Sequence, residues 1–130
     1  MKAQSKKQKG SKFERKVAQM IRQSGLDSKA RRRPLSGAEK MVRGYGDIIS
    51  TLPFSIEAKH QKGTSHFWQW WEQARNQAKP MRPPLLVFSG NWRPVMVALE
   101  FKTFLDIFRE KRDWEEAKIE AKKEEPNVNN

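Results

Sequence analysis

Asp47, Glu57 and Lys59 are the residues of this chain whose types and spacing could do chemistry: an acid, nine intervening residues, then an acid and a lysine two apart. Two carboxylates can hold a hard divalent cation, and an ammonium beside them can orient water or offset charge developing on a phosphate. Asp47–Thr51 and Phe54–Lys59 are short apolar runs joined by Leu52-Pro53, which predicts two strands about a turn. Strand side chains alternate faces, so Glu57 and Lys59 point one way while Phe54, Ile56 and Ala58 point the other. Folding back about Leu52-Pro53 sets position 47 opposite position 58 and brings Asp47 beside Glu57 and Lys59. In isolation the three residues read equally as a surface charge cluster on a hairpin. In a chain of net charge +12 they point to metal-assisted phosphodiester chemistry.

The elements that must position them follow from the flanking pattern. Residues 1–10 have no apolar period and are expected as a flexible basic arm. A helix is predicted from Lys12 to Ser24, with Phe13, Val17, Met20 and Ile21 on one face and Gly25 as its stop. Residues 29–34 form a short arginine-rich strand leading to a Ser36-Gly37 turn, and residues 38–46 a loop. Gly63-Thr64-Ser65 is expected to cap a second helix ending before Pro80, with Phe67, Trp70, Trp71, Ala74 and Ala78 at helical spacing. Pro84–Ser89 reads as a buried strand, Gly90-Asn91 as a turn, and Val95–Leu99 as an edge strand started by Pro94. A last helix begins near Thr103. The order α-β-β-β-α-β-β-α implies an α/β fold, a mixed β-sheet flanked by helices. Residues 11–112 are the expected catalytic domain, and 113–130 a charged helical extension with a disordered tail.

Composition narrows the partners. The 130 residues hold 36% apolar residues at a mean hydropathy of −0.92, yet five Trp and seven Phe can fill a core. The chain has no cysteine, which excludes disulfides and thiolate metal sites. No apolar run reaches the roughly 18 residues of a membrane span, and the basic N-terminus lacks the apolar segment of a secretory signal. Residues 1–62 hold 16 Lys/Arg against 5 Asp/Glu; residues 63–130 hold 11 against 10. So uneven a charge is a directional surface, and nucleic acid is the polyanion it suits.

Several motifs in order resemble the archaeal and phage type of Holliday junction resolvase, within the PD-(D/E)xK nuclease superfamily. They are Lys9-Gly10 with Phe13-Glu14-Arg15, the arginine strand, Ser36-Gly37, Gly46-Asp47-Ile48-Ile49 and Ile56-Glu57-Ala58-Lys59. Gly46 stands where the motif's proline would be. The resemblance, over about residues 9–110, implies a restriction-endonuclease-like fold and a Mg²⁺-dependent endonuclease, with Mn²⁺ able to substitute. Asp47 and Glu57 would be the principal metal ligands, the Ala58 carbonyl would complete the sphere, Lys59 would serve the attacking water, and Glu14 would reach the site from the first helix. It implies four-way DNA junctions as substrate and a homodimer with two active sites, packed through its sheet and nearby helices; the Leu85–Phe88 strand and the Trp-rich helix fit that role here. A cytoplasmic, nucleoid-associated location follows. Rival readings are a related nuclease acting on duplexes, flaps or ends in repair or phage genome processing, and a non-catalytic nucleic-acid-binding protein.

Individual residues have competing roles. Ser11-Lys12-Phe13-Glu14 also fits a capping box, with Glu14 bonding back to the Ser11 amide. Lys9, Lys12, Arg15, Arg31, Arg33, Ser36 and Lys62 form the expected DNA-binding set, Arg31 and Arg33 sharing one strand face and Arg32 the other. Gln73 is placed either near the metal site or on a solvated helix face. Trp70 and Trp71 are expected in core or dimer packing. Trp68 and Trp92 lie off that stripe and suit an interface or DNA. His60 suits a loop or phosphate contact.

Overall fold

The computed structural model describes residues 6–34, 45–63 and 65–124, with side chains from residue 10 onward. The elements are α1 (Lys6–Gln23), β1 (Arg31–Arg32), β2 (Ile48–Ile49), β3 (Ser55–His60), α2 (Phe67–Gln77), β4 (Pro84–Ser89), β5 (Met96–Ala98) and α3 (Phe101–Glu124). The five strands form one sheet in the order β1-β2-β3-β4-β5. All neighbours are antiparallel except β3 and β4, which run parallel in register from Ser55 beside Pro84 to His60 beside Ser89. That parallel pair needs a crossover, and α2 supplies it. The expected mixed sheet and element order are both present.

Phe13, Val17 and Ala18 of α1 bury themselves against Ile48, Ile56, Ala58 and Val87, and Phe54 packs against the same cluster. The alternation in β3 therefore sends Phe54, Ile56 and Ala58 to one face, as expected. Burying such side chains contributes about 1.5–3 kcal/mol each, which holds α1 across the strand that carries Glu57 and Lys59. α2 packs on β3 and β4 with Trp70 and Ala74 buried.

Four local expectations change. α1 begins at Lys6, so residues 6–10 are helix instead of flexible arm. Lys and Gln are good helix formers and no proline intervenes, so the helix extends past its apolar stripe. It ends as expected, with Gly25 at φ 83°. α2 starts at Phe67 with His66 at its N-cap and no side-chain capping bond, so Ser65 does not cap it; Thr64 lies outside the described residues. β4 lies between β3 and β5, with Leu86 and Val87 buried, so this strand is not a free surface for a second copy.

The fourth change is the register. Ile48 pairs with Ile56, and the Asp47 N–H donates to the Ile56 carbonyl at 2.7 Å, so position 47 does not face position 58. The turn is wider than a two-residue hairpin. The Phe54 N–H donates to the Leu52 carbonyl at 2.8 Å. Arg82 donates to the carbonyls of Ser50 (3.0 Å), Leu52 and Phe54 (3.1 Å), gathering the turn around one guanidinium. The same guanidinium lies 4.2 Å from the centre of the Tyr45 ring.

The chain divides into two compact units, Met1–Ala98 and Leu99–Asn130. The second is built on α3, which starts at Phe101, two residues before Thr103, and continues without a break to Glu124. Phe101, Phe104 and Phe108 form a run of ring contacts along it, and Arg109–Asp106, Arg112–Glu116 and Lys123–Glu120 are ion pairs at helical spacing. None of its residues is buried. Among the described residues no helix is long and apolar enough to cross a membrane.

Candidate active site

Glu57 sits in mid-β3 with only 1% of its surface exposed. As a carboxylate it has no hydrogen-bond donor on either oxygen among the described residues. Burial first, and then the neighbouring Asp47 charge, push its carboxyl up to about 8; Lys59 pulls the other way. Once protonated, it can bond to Asp47. A buried, unpartnered carboxylate is costly to keep, so it calls for a proton or a cation.

Asp47 is held from both sides. Its carboxylate Oδ2 accepts from the Ala58 N–H at 2.8 Å, and its carbonyl accepts from the Arg33 N–H at 2.6 Å. The Arg33 side chain donates to the carbonyls of Gly46 (2.9 Å) and Tyr45. Arg33, expected on a phosphate track, thus binds the backbone that delivers Asp47. Gly46 explains the missing proline. A Cβ there would lie 2.7 Å from the Ile56 carbonyl carbon and 2.9 Å from Glu57 Oε1, so the backbone passes too close to β3 for any side chain. Gly46→Ala should destabilise the fold by about 1–3 kcal/mol and lower cleavage more than binding, because the Cβ meets the Ile56 carbonyl and then Glu57 Oε1, disturbing the strand that carries Glu57. Urea denaturation and a cleavage time course would check both.

Glu14 projects from α1 towards this pair. Its carboxylate is raised by burial and then by the Asp47 charge, opposed by Arg32 and Lys59. Arg32 donates through Nε to Glu14 Oε2 at 3.2 Å and through Nη2 to Ser11 Oγ at 3.2 Å. Ser11 lies inside α1, so it is not an N-cap and the capping box does not form. The partner of Glu14 is Arg32, the arginine that alternation had set apart from the DNA-facing pair. The signal was present: strand alternation sets Arg32 on the face opposite Arg31 and Arg33. Electrostatically, Asp47, Glu57, Lys59 and Glu14 form one cluster.

Other candidates lie elsewhere. Lys12 and Arg15 are exposed on α1 and line a cavity of about 670 Å³ with Lys16, His60 and Asn91. Arg31 is exposed, its guanidinium donating to the Lys29 carbonyl at 3.3 Å. Lys62 is exposed just past β3. Gln73 is exposed in a shallow groove with Trp68, Glu72 and Asn76, not with the carboxylates. Ser36 and the side chain of Lys9 lie outside the described residues.

Among the described residues no three His, Asp or Glu side chains are gathered so as to hold a metal ion. What the structure brings together is the carboxylate pair of Asp47 and Glu57, with Glu14 electrostatically coupled to it. Its oxygens are hard donors, suited to Mg²⁺ or Mn²⁺, and the two unpartnered oxygens of Glu57 fit a cation in chemistry and in need.

A family model described as "Phage putative PDDEXK endonuclease" matches residues 5–130. No curated protein and no solved structure matches the chain.

Proposed function

Because the chain belongs to the family described as "Phage putative PDDEXK endonuclease", a nuclease and phosphodiester hydrolase, we propose that Asp47, Glu57 and Lys59 form its catalytic centre and that it cuts branched DNA with the help of Mg²⁺. The observation that carries this reading is the buried carboxylate of Glu57, beside Asp47 and without a donor on either oxygen among the described residues. Asp47 and Glu57 would hold the ion, with the Ala58 carbonyl as a backbone ligand. When bound, it supplies charge neutralisation at the phosphate and a stronger nucleophile.

The chain's own residues do the rest. Lys59 orients the attacking water and offsets charge on the phosphate. The Ala58 amide fixes one Asp47 oxygen, leaving the other for the site. Glu14 and Arg32 set the field at its edge, and Lys12, Arg15, Arg31 and Lys62 supply phosphate contacts, which position DNA without reading its bases.

The junction-resolving reading rests on the motif set shared with the resolvases and requires two symmetric incisions, hence a homodimer. A second reading, a phage nuclease acting on duplexes, flaps or ends, is compatible with the family description, which names a phage endonuclease and no substrate. Cleavage of a four-way junction, a flap and a matched linear duplex, with Mg²⁺ and with EDTA, separates them. Paired symmetric cuts in the junction, dependent on Mg²⁺, are the expected result; equal rates on all three would defeat junction resolution. No cleavage with any divalent ion would defeat the catalytic reading.

A further inference from the structure

Trp92 is the least economical residue in the fold. It is a tryptophan at 101% relative exposure, and its φ of 60° lies in the left-handed region that bulky side chains avoid. The turn that holds it is firmly built. Ser89 Oγ reaches the carbonyls of Arg93 (2.9 Å) and Pro94 (3.2 Å), and the Arg93 N–H donates to the Gly90 carbonyl at 3.2 Å. Gly90 packs so closely on the end of β3 that a Cβ would lie 2.8 Å from the Gln61 carbonyl oxygen. The Gln61 N–H in turn donates to the Ser89 carbonyl at 3.2 Å. A strained backbone secured this way presents an indole to solvent at a fixed place, and folding gains no burial from it.

The surroundings of that indole are cationic. Trp92 lines a cavity of about 530 Å³ with Lys16, His60, Asn91 and Arg93. Lys16, His60 and Asn91 also line the 670 Å³ cavity that Lys12 and Arg15 enter from α1. Sharing these three residues, the two make one groove whose described lining carries Lys12, Arg15, Lys16 and Arg93 and no acidic residue. It passes the end of β3 at His60, one residue beyond Lys59. The His60 ring rests on Phe13 at 5.4 Å, so this wall is anchored in the core.

A cationic track ending at a rigid exposed aromatic is the arrangement that takes unpaired nucleotides, phosphates on the cations and a base on the ring. Paired bases keep their faces stacked and cannot use it. We propose that the groove from Lys12 to Arg93 binds a single-stranded segment of DNA and that Trp92 stacks on an unpaired base, so that this turn selects substrates with unpaired nucleotides. The proposal rests on the nuclease reading for its polymer, and it is tested by binding alone.

Affinities are measured in EDTA for a dT oligonucleotide, a flap and a linear duplex, using wild type, Trp92→Ala, Trp92→Phe and Arg93→Ala. Trp92→Ala should weaken the dT oligonucleotide and the flap by roughly 5- to 100-fold and the duplex by less than about twofold, and Trp92→Phe should restore most of the loss. Arg93→Ala should weaken whichever DNA enters the groove and lower the salt slope by about one. Trp92→Ala unchanged on all three, or weakened equally on all three, overturns the proposal. So does a Trp92→Ala variant that changes from dimer to monomer in sedimentation, which would make the turn a contact between copies. Failure of the nuclease reading looks different: the Trp92 variants would bind as expected above and yet wild type would cleave nothing with any divalent ion.

Discussion

Asp47→Asn should lose cleavage by roughly 10³-fold or more on every DNA substrate while binding DNA as wild type does. The amide keeps an oxygen that can accept from the Ala58 N–H, a bond of 2.8 Å in the native chain. The Arg33 N–H to the Asp47 carbonyl involves backbone only and is untouched. The fold should therefore hold, and the lost quantity is one negative charge beside Glu57. That charge is the second cause of the raised Glu57 carboxyl, after burial. The variant should thus also titrate Glu57 at lower pH than wild type. Cleavage with Mg²⁺ and binding in EDTA measure the two effects separately. A variant that cleaves at the native rate would remove Asp47 from the site.

Glu57→Gln should abolish cleavage and, in the absence of divalent ions, make the protein more stable at pH 8. The folded carboxyl titrates near 8 against an ordinary value of 4.5. Between these values the folded state holds a proton that the unfolded state has released, so the stability that Glu57 contributes is fully present below about 4.5 and is lost as pH rises to about 8. Glu14, also raised, acts in the same direction. Asp27 acts oppositely, its exposed carboxylate lowered by the Thr51 and Lys29 amides, but it titrates below this window. The amide has no charge to bury. The variant should gain on the order of 2–4 kcal/mol over wild type at pH 8, with little difference at pH 4.5. Mg²⁺ should raise the melting temperature of wild type at pH 8, because it binds only the folded pair, and leave the variant nearly unchanged. Thermal melts at pH 4.5 and 8, with and without Mg²⁺, check all of this; a variant less stable than wild type at pH 8 would contradict the burial argument.

The candidate trio of Asp47, Glu57 and Lys59 was legible because its signals are local. Alternation alone sends Ile56 and Ala58 into the core and Glu57 to the other face, and the apolar runs mark β3 and β4 whatever surrounds them. Element ends were less legible. The start of α1 depends on propensity beyond the apolar stripe, and His66 occupies the cap that Ser65 was expected to fill. The turn between β2 and β3 is gathered by Arg82, 30 residues from Leu52, whose guanidinium collects three of its carbonyls. A hairpin read in isolation has no access to that partner.

The sequence by itself determined which groups are available: two carboxylates and a lysine, on a strand whose period spaces them, in a chain of net charge +12. Only the tertiary structure decided the charge state and the supporting contacts. Whether Glu57 is an ordinary acid or one pushed up to about 8 depends on α1, α2 and the sheet removing water from it. Whether Arg32 or Arg33 meets DNA depends on which carbonyls and carboxylates the fold brings within reach. Residue types and periodicity are carried along the chain, whereas desolvation and long-range pairing exist only once distant segments meet.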